Sequence, residues 1–238
     1  MTQTFFKESD FEIFTTDSTL EIRMSAIQNE IQPKFKEIEE EILPFLNVQT
    51  DQNFFGHIAK HARRTVNAPK DTWIAFATNN RGYKMLPHFQ FGLWGTHLFV
   101  YFGIIYESPN KQSIAINFEK NKNKLYKMIP KDFVVSYDHM KPDVIQKSKM
   151  NKDEFNKGIQ RFHDVKKAEY LCGITIAKDE AITLTKEELI QRIIETYNTL
   201  IPLYKISINW INISVVLLYI CQKQKSMPIL YTFFDRTK

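Results

Sequence analysis

His88–Tyr106, HFQFGLWGTHLFVYFGIIY, is the stretch whose reading decides the fold of this chain. Its first seven residues alternate, with Phe89, Phe91 and Leu93 on one side and His88, Gln90, Gly92 and Trp94 on the other. That is the period of an extended strand with two different faces. Gly92 reads as leaving room above the backbone on the polar side. From His97 to Tyr106 both sides are apolar, which predicts a strand in the middle of a sheet. Gly95-Thr96 between them is short enough to close a hairpin.

Working outward, Thr72–Thr78 is apolar and β-prone, and Phe133–Tyr137 and Ala168–Ala177 read as further strands. Helical periodicity fills much of the rest. Ser9 and Asp10 open a short segment carrying Phe11 and Phe14. Thr19 is placed to cap a long helix whose apolar positions run Leu20, Met24, Ile27, Ile31, Phe35, Ile38 and Ile42. Pro33 is expected to kink or divide it, and Pro44 to end it. The acid run Glu37, Glu39, Glu40, Glu41 fits a solvated face. Gln112–Ile129 and Lys152–Asp164 read as helices. So does Lys186–Leu203, where Thr185 and Glu188 have the spacing of a capping box. Strands clustered between helices predict an α+β domain, with an antiparallel or mixed central sheet of about five to six strands flanked by helices.

The bulk numbers are consistent with that class. A chain of 238 residues with 43% hydrophobic residues can fill one large core. Seven glycines argue against glycine-rich nucleotide loops, and no P-loop, G-x-G-x-x-G or G-x-S-x-G is present. Two cysteines, Cys172 and Cys221, cannot form a disulfide framework, and the first residues carry no basic-then-apolar leader. A cytoplasmic protein with reduced thiols is the expectation.

Charge is the feature that points to a site. Between His57 and His97 lie Lys60, Arg63, Arg64, Lys70, Arg81 and Lys84 against Asp71 alone, so this stretch accounts for the whole net charge of +5. Four of the six histidines, His57, His61, His88 and His97, lie in it as well. Clustered cations beside imidazoles suit an anionic partner. Guanidinium groups grip phosphate or carboxylate in pairs, lysine supplies a point charge, and histidine moves protons near neutral pH. As a helix, His57–Val66 would put His57, Lys60, His61 and Arg64 on one face and Ile58, Ala62 and Val66 on the other. As a strand it would split the cations between both sides. The helix separates polar from apolar more cleanly.

The expected ligand-binding set is therefore Lys60, Arg63, Arg64, Arg81, Lys84 and Gln90. His61 and His88 are the candidate acid–base groups, assisted by Glu107 or Asp71. Asp138-His139-Met140-Lys141-Pro142 is a second polar knot, in which His139 and Lys141 would extend the same pocket if it lies near. Adjacent Asp138 and His139 would point to opposite faces of a strand and so not pair unless the strand has ended, and a plain turn is the competing reading. Tyr83, in a turn, is the best candidate for stacking on a base. A metal is not expected. His57 and His61 have helical zinc spacing, but Ile58 stands where a zinc protease has Glu, and no Cys pair or Asp-rich cluster completes a set. No cofactor is indicated.

The segments His57–Phe76, Arg81–Trp94 and Asp138–Asp143, with DFEIF at Asp10–Phe14, Arg23-Met24 and Pro33-Lys34, closely resemble the YktB-like proteins, an uncharacterised family of Firmicutes. The likeness runs from about Phe6 to Tyr204. It implies a cytosolic α+β domain without established activity, and an antiparallel-sheet architecture like that of biotin ligases and class II tRNA synthetases. It supplies no catalytic residues. It does make Lys60, His61, Arg63, Arg64, Arg81, Lys84, His88, Gln90 and His139 characteristic positions.

Residues 1–205 thus read as one domain and 206–238 as an atypical C-terminal extension. Within the extension, Ile208–Ile220 is too short and too interrupted by Asn209 and Asn212 for a membrane span of about 20 residues. Its β-branched content suggests a strand, Trp210, Lys223 and Lys225 would suit weak membrane contact, and sequence without selected structure is the other reading. Functionally, the residues point to a protein that binds an anionic, phosphate-bearing ligand, whether a nucleotide, a phosphometabolite or nucleic acid. The alternatives are an enzyme using histidine acid–base chemistry on a phosphorylated substrate, or a structural or partner-docking protein. Oligomeric state is not legible.

Overall fold

The computed structural model describes residues 3–225. In chain order the elements are α1 (Glu8–Thr15), α2 (Leu20–Ala26), α3 (Gln32–Thr50), β1 (Phe55–Ile58), β2 (Asp71–Ala77), β3 (His88–Trp94), β4 (His97–Ile104), α4 (Lys111–Met128), β5 (Val134–Ser136), β6 (Ile145–Gln146), α5 (Lys152–Asp164), β7 (Tyr170–Ala177), α6 (Lys178–Ala181) and α7 (Lys186–Lys225). The strands form one seven-stranded sheet of order β1-β2-β3-β4-β7-β5-β6, with every neighbouring pair antiparallel. The fold class is the expected α+β. The sheet has more strands than expected, because β1 and the two-residue β6 are edge strands too short to leave a periodic signal.

The alternation in His88–Trp94 determines how the layers stack. Phe89 and Phe91 point to the helices and are fully buried there. The Phe89 ring lies 4.8 Å from Tyr197 and 5.5 Å from Tyr204 on α7, while Phe91 lies 5.9 Å from Phe35 on α3. Each such fully buried aromatic contributes about 1.5–3 kcal/mol, so one face of β3 holds two helices down. The opposite face carries Trp94, Phe99, Tyr101, Val134 and Leu171 as a second, smaller apolar cluster with Trp73 packed on it. The antiparallel register aligns these residues across the strands, Trp73 with Gly92, Gly92 with Phe99, and Gln90 with Tyr101. The space above Gly92 is therefore not open as the sequence suggested. A Cβ there would sit 2.5 Å from Phe99 and 2.7 Å from the Trp73 Cβ.

The caps follow the sequence. Thr19 Oγ1 accepts from the Ile22 N–H, and Thr185 and Glu188 make the reciprocal pair, at 2.9 and 3.2 Å. Both prolines behave differently from expectation. Pro33 lies in the first turn of α3, where a missing N–H costs nothing, and the break falls just before it in a wider π turn at Ile27–Ile31. Pro44 does not end the helix, which carries it internally and stops at Asp51 in the left-handed conformation, φ 55°.

Two further expectations are corrected. His57–Val66 is not a helix. Phe55–Ile58 pairs with β2, the Ala59 N–H continues the ladder to the Trp73 carbonyl at 2.9 Å, and His61 at φ 49° is left-handed, which no α-helix contains. Edge pairing to β2 outweighed the modest gain of a short amphipathic helix. Ile208–Ile220 is not a strand but helical backbone continuous with α7. A helix already nucleated and capped at Thr185 extends through β-branched residues at little cost per residue. No helix of the described residues is long and apolar enough to cross a membrane. The side chains of Trp210, Lys223 and Lys225 lie outside those described.

Candidate functional site

On the sheet face away from the helix core lies a pocket of about 330 Å³, its open mouth included. Its lining includes Asp71 and Trp73 from β2, Gln90 and Trp94 from β3, Phe99 and Tyr101 from β4, Ser136 from β5, and His139 and Lys141 from the loop that follows. The strands put these side chains on one face because each occupies an aligned position of the antiparallel ladder. Aromatic rings form the walls, and polar atoms gather on the floor.

The floor is built from a chain of fixed hydrogen bonds. His88 is fully buried, and its Nδ1 lies 2.7 Å from the Leu86 carbonyl. A carbonyl only accepts, so Nδ1 carries the hydrogen and Nε2 is an acceptor. The Gln90 amide therefore turns its NH2 to His88, at 2.6 Å. Burial, with the like charges of His139, His57 and Lys84 nearby, lowers the His88 pKa to about 4, against a partial opposing effect of the Leu86 carbonyl. It is neutral at physiological pH. Tyr83 closes this corner, its ring 4.8 Å from His88 and its hydroxyl accepting from the Trp73 indole at 2.9 Å. That packing replaces the free stacking role expected of Tyr83.

His139 is held from a different direction. Its Nδ1 lies 2.7 Å from Glu169 Oε2, and its backbone N–H donates to the same oxygen at 2.8 Å. Glu169 is only 2% exposed. As expected, Asp138 is not the partner of His139, and instead its Oδ1 accepts from the Met140 N–H at 3.0 Å. Ser136 Oγ is tied into the same turn through the Asp138 carbonyl.

Asp71 is the outlier. It is 8% exposed and has no hydrogen bond to another side chain and no ion pair among the described residues. Burial raises its pKa to about 6, against the opposing pull of Arg64, His139 and its own backbone N–H. A buried carboxyl without a fixed partner on another residue, in a pocket, is the kind of group a ligand satisfies.

The expected site residues divide into two groups. Gln90 and His139 line the pocket, and His88 lies directly beneath Gln90. Arg64 is half-buried, close enough to act on Asp71 and His61, and donates to the Asn67 carbonyl. His61 packs edge-on to Trp73 at 5.5 Å with Nε2 3.2 Å from Thr72 Oγ1. Burial, and secondarily Arg64, lowers its pKa to about 4. Lys60, Arg63 and Arg81 are exposed, line no part of this pocket, and have no ion-pair partner among the described residues. Lys84 and Glu107 pair with each other at 2.9 Å, so Glu107 is the partner of a lysine and does not line the pocket. The structure brings together Gln90, His139 and, beneath Gln90, His88, while His57, His61, His97 and most of the cations do not line the pocket.

Sequence reasoning gave Asp71 only an assisting role and passed over Glu169. As the lone acid of the basic stretch, Asp71 offered a signal. Glu169 offered none, being an ordinary acid next to an apolar strand. His57 bonds the Asn79 carbonyl, away from His61, and no three His, Cys, Asp or Glu of the described residues gather as a metal set. A larger, open cleft of about 1100 Å³ lies beside the N-terminal segment; two of its lysines are paired, Lys34 with Asp10 and Lys186 with Glu37, and Lys7, Glu30 and Glu187 also line it.

Among proteins of recorded sequence, the chain is 52% identical over 204 residues to UPF0637 proteins of Bacillus thuringiensis (strain Al Hakam), Bacillus cereus (strain 03BB102) and Bacillus anthracis (strain CDC 684 / NRRL 3495). Each match covers 86% of this chain and 98% of the relative. Residues 6–204 match the family described as "Domain of unknown function (DUF1054)". That span holds every residue of the pocket, and it coincides with the YktB-like resemblance read from the sequence. The chain belongs to this family of uncharacterised bacterial proteins.

Proposed function

We propose that the protein binds a small anionic ligand, phosphate-bearing in the simplest case, in the pocket between β2, β3, β4 and the loop after β5. The observation that supports this is the pair of cations by the pocket, Lys141 at its mouth and Arg64 close to Asp71, above an aromatic-walled hollow. The enclosed part of the pocket is small, about 20 Å³, so it admits only a small group and the rest of a ligand lies at the mouth. Nucleic acid is a weaker fit, since Lys60, Arg63 and Arg81 stand apart from the pocket. Calorimetry with inorganic phosphate, mononucleotides and short RNA, each at several salt concentrations, tests the reading. Shallow salt dependence and loss of binding in Lys141→Ala support it. A steep slope that survives Lys141→Ala would move the binding to the exposed cations.

A second reading, acid–base catalysis, is favoured by one specific observation. A carboxyl with a pKa of about 6 and an imidazole fixed by a buried carboxylate line one cavity. A bell-shaped rate profile on a bound substrate, flattened on one limb by Asp71→Asn, would establish it.

A further inference from the structure

The interior of the pocket is richer in acceptors than in donors. His88 fixes the Gln90 amide with its NH2 turned away, which leaves Gln90 Oε1 without a protein partner among the described residues. Asp71 contributes a carboxyl whose hydrogen bonding is confined to its own backbone N–H. Glu169 takes the Nδ1 side of His139, leaving Nε2 as the ring's other polar atom, also without a protein partner among the described residues. Ser136 is occupied by its own turn. The Trp73 indole is occupied by Tyr83. Of the donors, the Trp94 indole lies in the wall, and Lys141, with its side chain 66% exposed, stands at the mouth in a loose, solvent-exposed ion pair with Asp138 at 3.7 Å.

These acceptors open onto the pocket, where water reaches them, and a ligand that brings N–H groups replaces that water with fixed bonds. Aromatic faces around them favour a cation over a neutral group. We propose that the pocket takes the amino or amidino end of a ligand whose other end is anionic, with Asp71, Gln90 Oε1 and His139 receiving its N–H groups and Lys141 receiving the acid. This rests on the anion-binding reading above and deepens it, because the anion is placed at the mouth and a donor-bearing head inside.

Four probes separate the parts: phosphoethanolamine, phosphocholine (the same charge without N–H donors), ethanolamine and inorganic phosphate. Calorimetry at pH 7.5 is expected to rank phosphoethanolamine first, about tenfold or more tighter than phosphate or phosphocholine. Asp71→Asn should weaken phosphoethanolamine by a similar factor and leave phosphate unchanged. Because burial already favours a neutral side chain at 71, this variant is expected to fold, and circular dichroism confirms it. Equal binding of phosphate and phosphoethanolamine, unaffected by Asp71→Asn, would overturn the donor-head inference while leaving anion binding intact. Equal binding of phosphocholine would overturn it as well. Ethanolamine binding as tightly as phosphoethanolamine would remove the anion reading. Binding of none at millimolar concentration would remove both.

Discussion

His139 meets Glu169 twice, once through its ring and once through its backbone N–H, and both bonds reach the same buried carboxylate. The two residues are thirty apart in sequence. Glu169 also accepts weakly from the Tyr106 N–H, so one side chain ties the loop after β5 to the end of β4 and the start of β7. In Glu169→Gln the amide can accept only through Oε1, and at least one donor loses its partner. The expected cost is about 1–3 kcal/mol. The effect should extend to the site. The His139 ring resonances in NMR should broaden or shift, while those of His163 on α5 stay in place. A melting temperature and a His139 signal both unchanged would show that the carboxylate does not hold the loop.

The pH dependence of stability is expected to be the sum of two opposed contributions. Asp71 has a folded-state pKa of about 6, raised from its ordinary 3.8 chiefly by burial. The folded state therefore binds the proton more tightly, and stability falls as pH rises from about 4 to about 6. His88 runs the other way. Its folded pKa is about 4 against an ordinary 6.5, so stability is full above 6.5 and is lost as pH falls toward 4. Each contribution is at most about 3 kcal/mol. With His61 lowered in the same direction as His88, the wild-type chain should lose stability on acidification below 6.5. Asp71→Asn removes the opposing contribution, so its loss on acidification should be steeper and its stability at pH 7 higher. Chemical denaturation at pH 4.5, 5.5, 6.5 and 7.5 provides the check.

Gln90→Leu tests the hydrogen-bond chain beneath the pocket. It keeps the volume near β3 but leaves His88 Nε2 buried without a donor, at an expected cost of about 1–3 kcal/mol. Gln90→Glu should act differently. A carboxylate beside Nε2 favours the protonated imidazole, so the His88 pKa should rise toward neutrality. NMR titration of the His88 ring measures this directly. An unmoved pKa would mean that residue 90 does not face the ring.

The hairpin at His88–Ile104 and the capped helices were legible because each rests on local information, namely a two-residue period, an apolar run or a cap spacing. The misreadings share a different cause. His57–Ile58 is a strand only because β2 lies beside it, and Pro44 is tolerated only because the rest of α3 is held by Phe35, Ile38, Ile42 and Leu46 in the core. The candidate site was half legible. Gln90 and His88 could be placed on one face by alternation. Glu169 could not be joined to His139 across thirty residues by any local rule. The cations misled because charge density in sequence does not determine which side of a turn a side chain leaves from, and Arg63 and Arg81 leave into solvent.

Gly173 on β7 provides a test of the sheet itself. A Cβ there would come 1.9 Å from the Val100 carbonyl oxygen and 3.0 Å from the Tyr101 Cα. Both are backbone atoms of β4, so no rotamer change relieves the clash and the two strands must separate locally. The ladder pairs Tyr101 with Gly173 and Gly173 with Val134, so separation would spread both to the Tyr101 wall of the pocket and to β5. Gly173→Ala should therefore cost about 2 kcal/mol or more, at the upper end of single substitutions. It should also weaken ligand binding. Gly82→Ala is the control. It sits in the turn after β2, where an added methyl meets nothing within 4 Å, and it should change stability by about 0.5 kcal/mol or less. Equal melting temperatures for the two variants would mean that β4 and β7 do not approach as closely as this register requires.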